Sequence, residues 1–213
     1  EQFSLTDIKK KNLSDVYHYI YMNPSCSKQD IATALSVSLP TVSQHLTTLE
    51  SEQLIEKCGR LSSSVGRRAN AYQIISDAKI AIGLEILPHT THILSINLYG
   101  KMIAKETLPV SFEASAAYFS KLKKAVKNFC QINHHKAESI LGIGVQGLIS
   151  PDGSELTYGK ILDCTGMSID LFSDAFHVPC KFVHDAECAC TSELWENPDI
   201  TNATYISLGY RSE

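Results

Sequence analysis

The chain contains no uninterrupted apolar stretch of the roughly eighteen residues that a bilayer-spanning helix requires, so no transmembrane helix is expected. Its first residues, Glu1-Gln2-Phe3-Ser4, lack the basic-then-apolar order of a secretory signal. There is no excess of positive charge. The formal net charge is −4, which excludes a uniformly basic nucleic-acid binder. Cysteines number seven, odd and irregularly spaced, which points to reduced thiols in a cytoplasmic protein rather than to a disulfide framework. No internal repeat or low-complexity tract interrupts the chain. What remains is an ordinary globular composition, 44% hydrophobic and 20% charged over 213 residues, enough for one large or two small domains.

Ser27 to Arg68 is the most informative stretch. Ser27 followed three residues later by Asp30 is a capping-box pattern, which predicts a helix start. Ile31, Ala32 and Leu35 continue it with an apolar face at helical spacing. Ser36-Val37-Ser38 is a short polar break. A second helix is predicted from Leu39 to about Glu52, with Pro40 in its first turn, where a missing N–H does little harm. Val42, Leu46 and Leu49 share one face of it and should turn inward. Thr41, Ser43, Gln44, Thr47 and Thr48 lie off that face. They are short polar side chains suited to base edges and phosphates, and the Gln44 amide can pair bidentately with adenine. By itself this second helix reads rather as an ordinary amphipathic helix with a solvated side. Joined to the first by so short a turn, it becomes a helix presented to a DNA major groove.

Leu54-Ile55-Glu56-Lys57 and Ala71-Tyr72-Gln73-Ile74 read as paired strands. The loop between them carries Arg60, three serines at 62–64, and Gly66-Arg67-Arg68. A hairpin tip with clustered arginines and no apolar payload suits phosphates or a narrow minor groove. The stretch as a whole is a winged helix-turn-helix. Residues 1–76 hold eight Lys and Arg against seven Asp and Glu, a net of +1, while residues 77–213 hold eleven against sixteen, a net of −5. Contact with double-stranded DNA must therefore come from the placement of Lys9, Lys10, Lys11, Lys28, Arg60, Arg67 and Arg68. The acidic remainder is not expected to face nucleic acid.

Residues 5–22 are predicted helical, with Leu13, Val16, Tyr17 and Ile20 inward and Asn23-Pro24 as the stop. The first domain spans 1–76, Ser76-Asp77 forms a hinge, and the second domain spans 77–213. Ile80 to Ile86, His92 to Leu98 and Met102 to Val110 read as three strands of an antiparallel meander. Further along, Ala114 to Gln131 is a helix with Phe119, Leu122, Val126 and Phe129 on one face. Ser139 to Val145 is a strand, Ser168 to Phe176 a helix, Lys181 to Val183 a strand, and Ala186 to Trp195 a helix. Thr204 to Leu208 begins another strand. Strands alternating with helices indicate an α/β domain.

Three motifs in order carry a resemblance: Gly66-Arg67-Arg68 after the wing, Gly142-Ile143-Gly144-Val145-Gln146-Gly147 with Pro151-Asp152-Gly153, and His184-Asp185-Ala186-Glu187 leading into a helix. From about Leu5 to Gly209 the chain resembles the ROK family of repressors and sugar kinases, and within it the xylose-repressor and N-acetylglucosamine-repressor branch. The resemblance implies an α+β winged helix-turn-helix followed by an α/β, actin-like (ribonuclease H-like) lobe. It also implies a second lobe of comparable size, which would lie past residue 213. The function implied is that of a sequence-specific repressor of carbohydrate-utilisation genes. It would act as a homodimer on an operator and answer to a sugar or sugar derivative, with no cofactor, no enzymatic activity and no membrane partner. Two other readings fit the residues: an ATP-dependent sugar kinase with an added DNA-binding domain, and a constitutive DNA-binding protein whose α/β domain only dimerises.

ROK kinases hold phosphate in a glycine-rich loop after the first strand. The matching Glu85-Ile86-Leu87-Pro88-His89 has no glycine, an acid, and a proline without N–H, so ATP binding is expected to be lost. Asp185 matches the family's catalytic base, a carboxylate that takes the proton of the attacking sugar hydroxyl. Without ATP it could still accept hydrogen bonds from a sugar; alternatively it only caps the following helix. His184 and Glu187 stand where the family has asparagines, Asp163 stands near another sugar-binding asparagine, and Met167 near an aromatic residue. The ligand set expected is therefore Asp163, His184, Asp185 and Glu187. The family's zinc site would lie past residue 213, so no metal is expected. Cys188 and Cys190 diverge by about 200° on a helix and are expected as small core residues. His134-His135 is expected as a solvated loop. Gly142 and Gly144 serve either strand packing or ligand approach.

Overall fold

The computed structural model describes residues 5–60, 69–135, 141–197 and 199–206, and the chain divides into two units, Glu1–Ala78 and Lys79–Glu213. The first unit opens on α1 (Leu5–Met22), which buries Val16 and Ile20. Asn23 stops it, donating from both its backbone and its side-chain amide to Tyr19 O at 2.9 Å, just before Pro24. Then follow β1 (Cys26–Ser27), α2 (Lys28–Leu35), α3 (Leu39–Ser51), β2 (Ile55–Arg60) and β3 (Asn70–Ile74). The strands form one antiparallel sheet in the order β1-β3-β2. Ile31, Val42, Leu46, Leu49, Ile55 and Ile74 are buried, each removing a side chain worth about 1.5–3 kcal/mol from water. The inward residues of all three helices thus follow the apolar spacing of the sequence.

In the second unit β4 (Ala81–Ile86), β5 (Thr91–Ile96) and β6 (Met102–Leu108) form the expected antiparallel meander. The helix α4 (Ala116–Ile132) is capped by Ser115, whose Oγ accepts from Tyr118 N at 3.2 Å. The strand β7 (Leu141–Val145) returns parallel to β4. Next come β8 (Leu148–Ile149), β9 (Glu155–Tyr158), β10 (Met167–Ser168), α5 (Asp170–Phe176), β11 (Cys180–His184) and α6 (Asp185–Glu196). The main sheet has the order β11-β7-β4-β5-β6, with β11 parallel to β7. Alternate residues Ile82, Leu84, Ile86, Leu141, Ile143 and Val145 join Tyr118, Leu122, Val126 and Phe129 of α4 in one core. Edge-to-face rings run Phe112, Tyr118, Phe119, Phe172, Phe182 at centroid separations of 5.1, 5.5, 5.0 and 5.7 Å. That chain of rings ties α4 and α5 to the strand that delivers His184.

Several expectations need correction. The segment β8 to β10 forms a separate small antiparallel sheet that the sequence reading did not anticipate. Ser168 belongs to β10 and the helix begins at Asp170, because Ser168 pairs with Glu155. Thr204 to Ile206 is not a strand, since no strand among the described residues pairs with it; Ser207 and Leu208 lie outside the described residues, as do Ser139 and Ile140. Cys188 is exposed and Cys190 half-buried, so neither is a core residue. His135 is not simply solvated: a ring nitrogen lies 2.8 Å from the buried Ser95 hydroxyl and the ring leans on Phe129. No helix among the described residues is long and apolar enough to cross a membrane.

Candidate nucleic-acid interface and ligand cleft

The helix-turn-helix is built from local hydrogen bonds. Asp30 N donates to Ser27 Oγ at 3.2 Å and Ser27 N to Asp30 Oδ2 at 2.8 Å, a closed capping box. Ser36 ends α2 in the left-handed region, φ 53°, with its N–H bonded to the last turn. Two residues later Ser38 caps α3, accepting from Thr41 N at 3.3 Å, with its hydroxyl 2.8 Å from the Thr41 hydroxyl. The turn is therefore three residues with a cap at each end.

On the solvent side of α3 the hydroxyl protons are committed. Ser43 donates to Leu39 O at 2.7 Å, Thr47 to Ser43 O at 3.0 Å, and Thr48 to Gln44 O at 3.1 Å. Those oxygens keep lone pairs, so outward they can act only as acceptors. The Gln44 side chain is exposed and makes no hydrogen bond among the described residues. Lys28 crosses from α2, its Nζ donating to Ser43 Oγ at 2.9 Å. At the base of the wing β2 and β3 pair with a bulge between Lys57 and Gly59, where Gly59 has φ 147°. Lys57 is held by Glu50 at 2.9 Å, a hydrogen bond that raises its pKa. Arg60 ends β2. Arg67 and Arg68, with the serines at 62–64, lie outside the described residues.

The second candidate site stands at the C-terminal end of β11, beside the ends of β7 and β4. In α/β sheets this is where ligands bind, because the chain there turns from strand to helix N-terminus. His184 is the N-cap of α6, so the helix begins at Asp185, and the capping role that the sequence offered to Asp185 belongs to His184. Ala186 N lies 3.1 Å from His184 Nδ1 and 2.8 Å from Asp185 Oδ1. The two side-chain atoms are themselves 3.0 Å apart. Nδ1 either accepts from Ala186 N or, when protonated, donates to Asp185, never both at once. An open cleft of about 280 Å³ lies alongside, lined by Gly147 to Pro151, Gly153, Lys181 to His184 and Glu187. Gly147 is required there: φ is 147°, and a Cβ would sit 2.4 Å from Tyr158 O. Across the sheet end, the loop after β4 is a tight turn. Leu87 N–H bonds Thr90 O at 2.9 Å and Pro88 has no N–H.

A family model described as winged helix-turn-helix DNA-binding matches residues 11–56, and one for the ROK family matches residues 81–210. The chain belongs to the ROK family. Among solved structures it is similar to a ROK family transcriptional regulator, a homologue of the E. coli MLC protein, with 15% identity and a TM-score of 0.68 over 91% of this chain and 50% of that one. That likeness is one of fold, and this chain spans about half the length of that structure. A ROK family glucokinase from Streptomyces griseus, in complex with glucose and AMPPNP, aligns with 54% of this chain and 36% of its own at 17% identity and a TM-score of 0.47. No curated protein matches by sequence. One chain thus joins a winged helix-turn-helix DNA-binding unit to a ROK unit.

Within the ROK unit, the structure brings His184 and Asp185 together and sets His184 and Glu187 on the cleft. Asp163 is elsewhere, exposed on the loop between β9 and β10 with φ 51°, and does not line the cleft. Sequence reasoning missed Lys181, which lines the cleft from the exposed side of β11. A lone lysine in an edge strand gives no signal of a site. In the winged helix it missed the Lys28–Ser43 bond and His45, which is buried in α3 at helical spacing from Val42 and Leu49. No cluster that could hold a metal ion occurs among the described residues.

Proposed function

We propose that this ROK chain is a cytoplasmic transcriptional repressor of carbohydrate-utilisation genes. It binds a double-stranded operator as a homodimer and responds to a sugar or sugar derivative. The observation that carries the reading is the presence of a winged helix-turn-helix and a ROK unit on one chain. In this reading Gln44 reads a base edge, while Thr41, Ser43 and Thr47 accept from bases or lie along phosphates. Arg60, Arg67 and Arg68 neutralise phosphates or enter the minor groove. The Asp185 carboxylate accepts hydrogen bonds from sugar hydroxyls, with His184 and Glu187 beside it. Effector binding favours one arrangement of the ROK unit and changes the spacing of two recognition helices relative to the half-sites. A non-enzymatic role is supported by the Leu87–Thr90 turn, which leaves few backbone donors for a nucleotide phosphate.

Anisotropy titration of the protein on a DNA fragment from upstream of its own gene tests this. Binding should prefer that sequence and weaken steeply with salt. Replacing Arg67 and Arg68 together by Ala should weaken binding to every sequence and flatten the salt slope by about 0.9 per phosphate lost. Gln44→Ala should cost about 1–3 kcal/mol on the preferred site and little on random DNA. Absence of any salt-dependent preference sinks the proposal. Sugar-dependent ATP turnover that disappears in Asp185→Asn would overturn the non-enzymatic role.

A further inference from the structure

Lys28 is the first residue of α2. A lysine there sits at the positive pole of its helix and gains nothing from the macrodipole. Its side chain is exposed. It crosses to the recognition helix, where Nζ donates to Ser43 Oγ at 2.9 Å. Ser43 can receive it in that direction because its own proton is committed to Leu39 O at 2.7 Å. The bond is exposed and joins residues fifteen apart in sequence. It therefore orients the ammonium more than it holds the fold together. An ammonium has three donors and Ser43 uses one. The other two are carried at the level of Ser43, one residue before Gln44, on the part of α3 that a helix-turn-helix presents to base edges.

We propose that Lys28 is a base-reading residue. Held by Ser43, it donates to the O6 and N7 acceptors of a guanine adjacent to the adenine read by Gln44, so that α2 and α3 together specify a G and an A side by side in each half-site. Ser43 is the positioning residue. This rests on the DNA-binding reading above. The bond draws the charge in over the recognition helix, whereas a lysine serving a phosphate needs no such restraint.

Selection of the full chain against duplexes with a randomised core, followed by sequencing, tests it. The variants are Lys28→Ala, Ser43→Ala and Gln44→Ala, each checked for folding by circular dichroism. The wild type should enrich a half-site with adjacent G and A. Lys28→Ala should lose preference at the G alone, with discrimination falling by roughly five- to 150-fold. Ser43→Ala should weaken the same position to a lesser degree, and Gln44→Ala should relax the A. Two results overturn the proposal. One is Lys28→Ala binding more weakly to every sequence, with the salt slope reduced by about 0.9 and selectivity intact, the signature of a phosphate contact. The other is an unchanged selection. A wild type that enriches nothing removes the DNA-binding reading itself, so the two failures are distinguishable.

Discussion

His45 lies between Gln44 and Leu46 on the recognition helix, yet it is buried, and its Nε2 finds no partner among the described residues. Burial lowers its pKa below the ordinary 6.5. The folded chain therefore keeps the imidazole neutral to lower pH than the unfolded chain does. Stability is fully present above 6.5 and falls as the pH drops below it, because the unfolded state binds the proton first. His45→Leu should flatten that acid limb as the pH falls below about 6.5. It should also raise neutral-pH stability by about 1 kcal/mol, by removing a desolvated, unpaired nitrogen. Hydrogen exchange of the α3 amides against pH reads both effects; parallel pH curves for the two proteins would refute the assignment. Tyr118 gives the opposite case. Its hydroxyl lies 2.9 Å from the buried Thr91 hydroxyl, and burial raises its pKa. Tyr118→Phe strands Thr91 and should cost about 1–3 kcal/mol in urea unfolding. Neither environment was legible in the sequence. His45 stands on the inward face with Val42, Leu46 and Leu49, but a histidine there gives no sign of its burial, and Tyr118 meets Thr91 only because α4 packs across β5.

The helix α6 shows what an element can owe to its ends. None of its residues is buried. His184 caps its start. In its first turn, Cys188 Sγ lies 3.7 Å from where a Cβ on Gly144 would be. Near its last turn Trp195 Nε1 donates to Tyr99 O at 3.1 Å across the turn between β5 and β6. Gly100 makes that seat possible: a Cβ there would come 2.8 Å from Trp195 Nε1, at φ 75°. Gly100→Ala should therefore cost about 1–2 kcal/mol for the left-handed backbone and displace the indole. Trp195 is the only tryptophan in the chain, so its emission reports this directly. Acrylamide should quench the variant more than the wild type, and equal quenching would show that the indole does not depend on this turn. The helix itself was legible in the sequence, whereas its attachment was not. Caps and apolar spacing act within a few residues, but the contact at Tyr99 spans 96 positions. The small β8–β10 sheet escaped notice for the same reason, since strands of two to four residues have no period to read.

At the scale of the whole molecule, the two units differ in charge, +1 for residues 1–76 and −5 for residues 77–213, and each has its own core. The proposed ligand residues all lie in the second unit, and the proposed DNA contacts all lie in the first. Asp185→Asn should then abolish the thermal shift that an effective sugar produces while leaving operator affinity in the absence of sugar unchanged. Loss of operator affinity in the unliganded variant would show that Asp185 supports folding rather than binding. The sequence by itself determined the local units: the capped helix-turn-helix, the paired strands of the wing, the β4–β6 meander, and the order of strands and helices that makes an α/β lobe. These follow from capping, side-chain spacing and turn chemistry, which operate over a few residues. The tertiary structure alone decided which side chains share a site: Lys28 with Ser43, His184 with the cleft beside Gly147, Asp163 set apart from both. Such meetings depend on closing loops of tens of residues, and that closure is favourable only once the buried core on one face of the sheet holds the strand ends together.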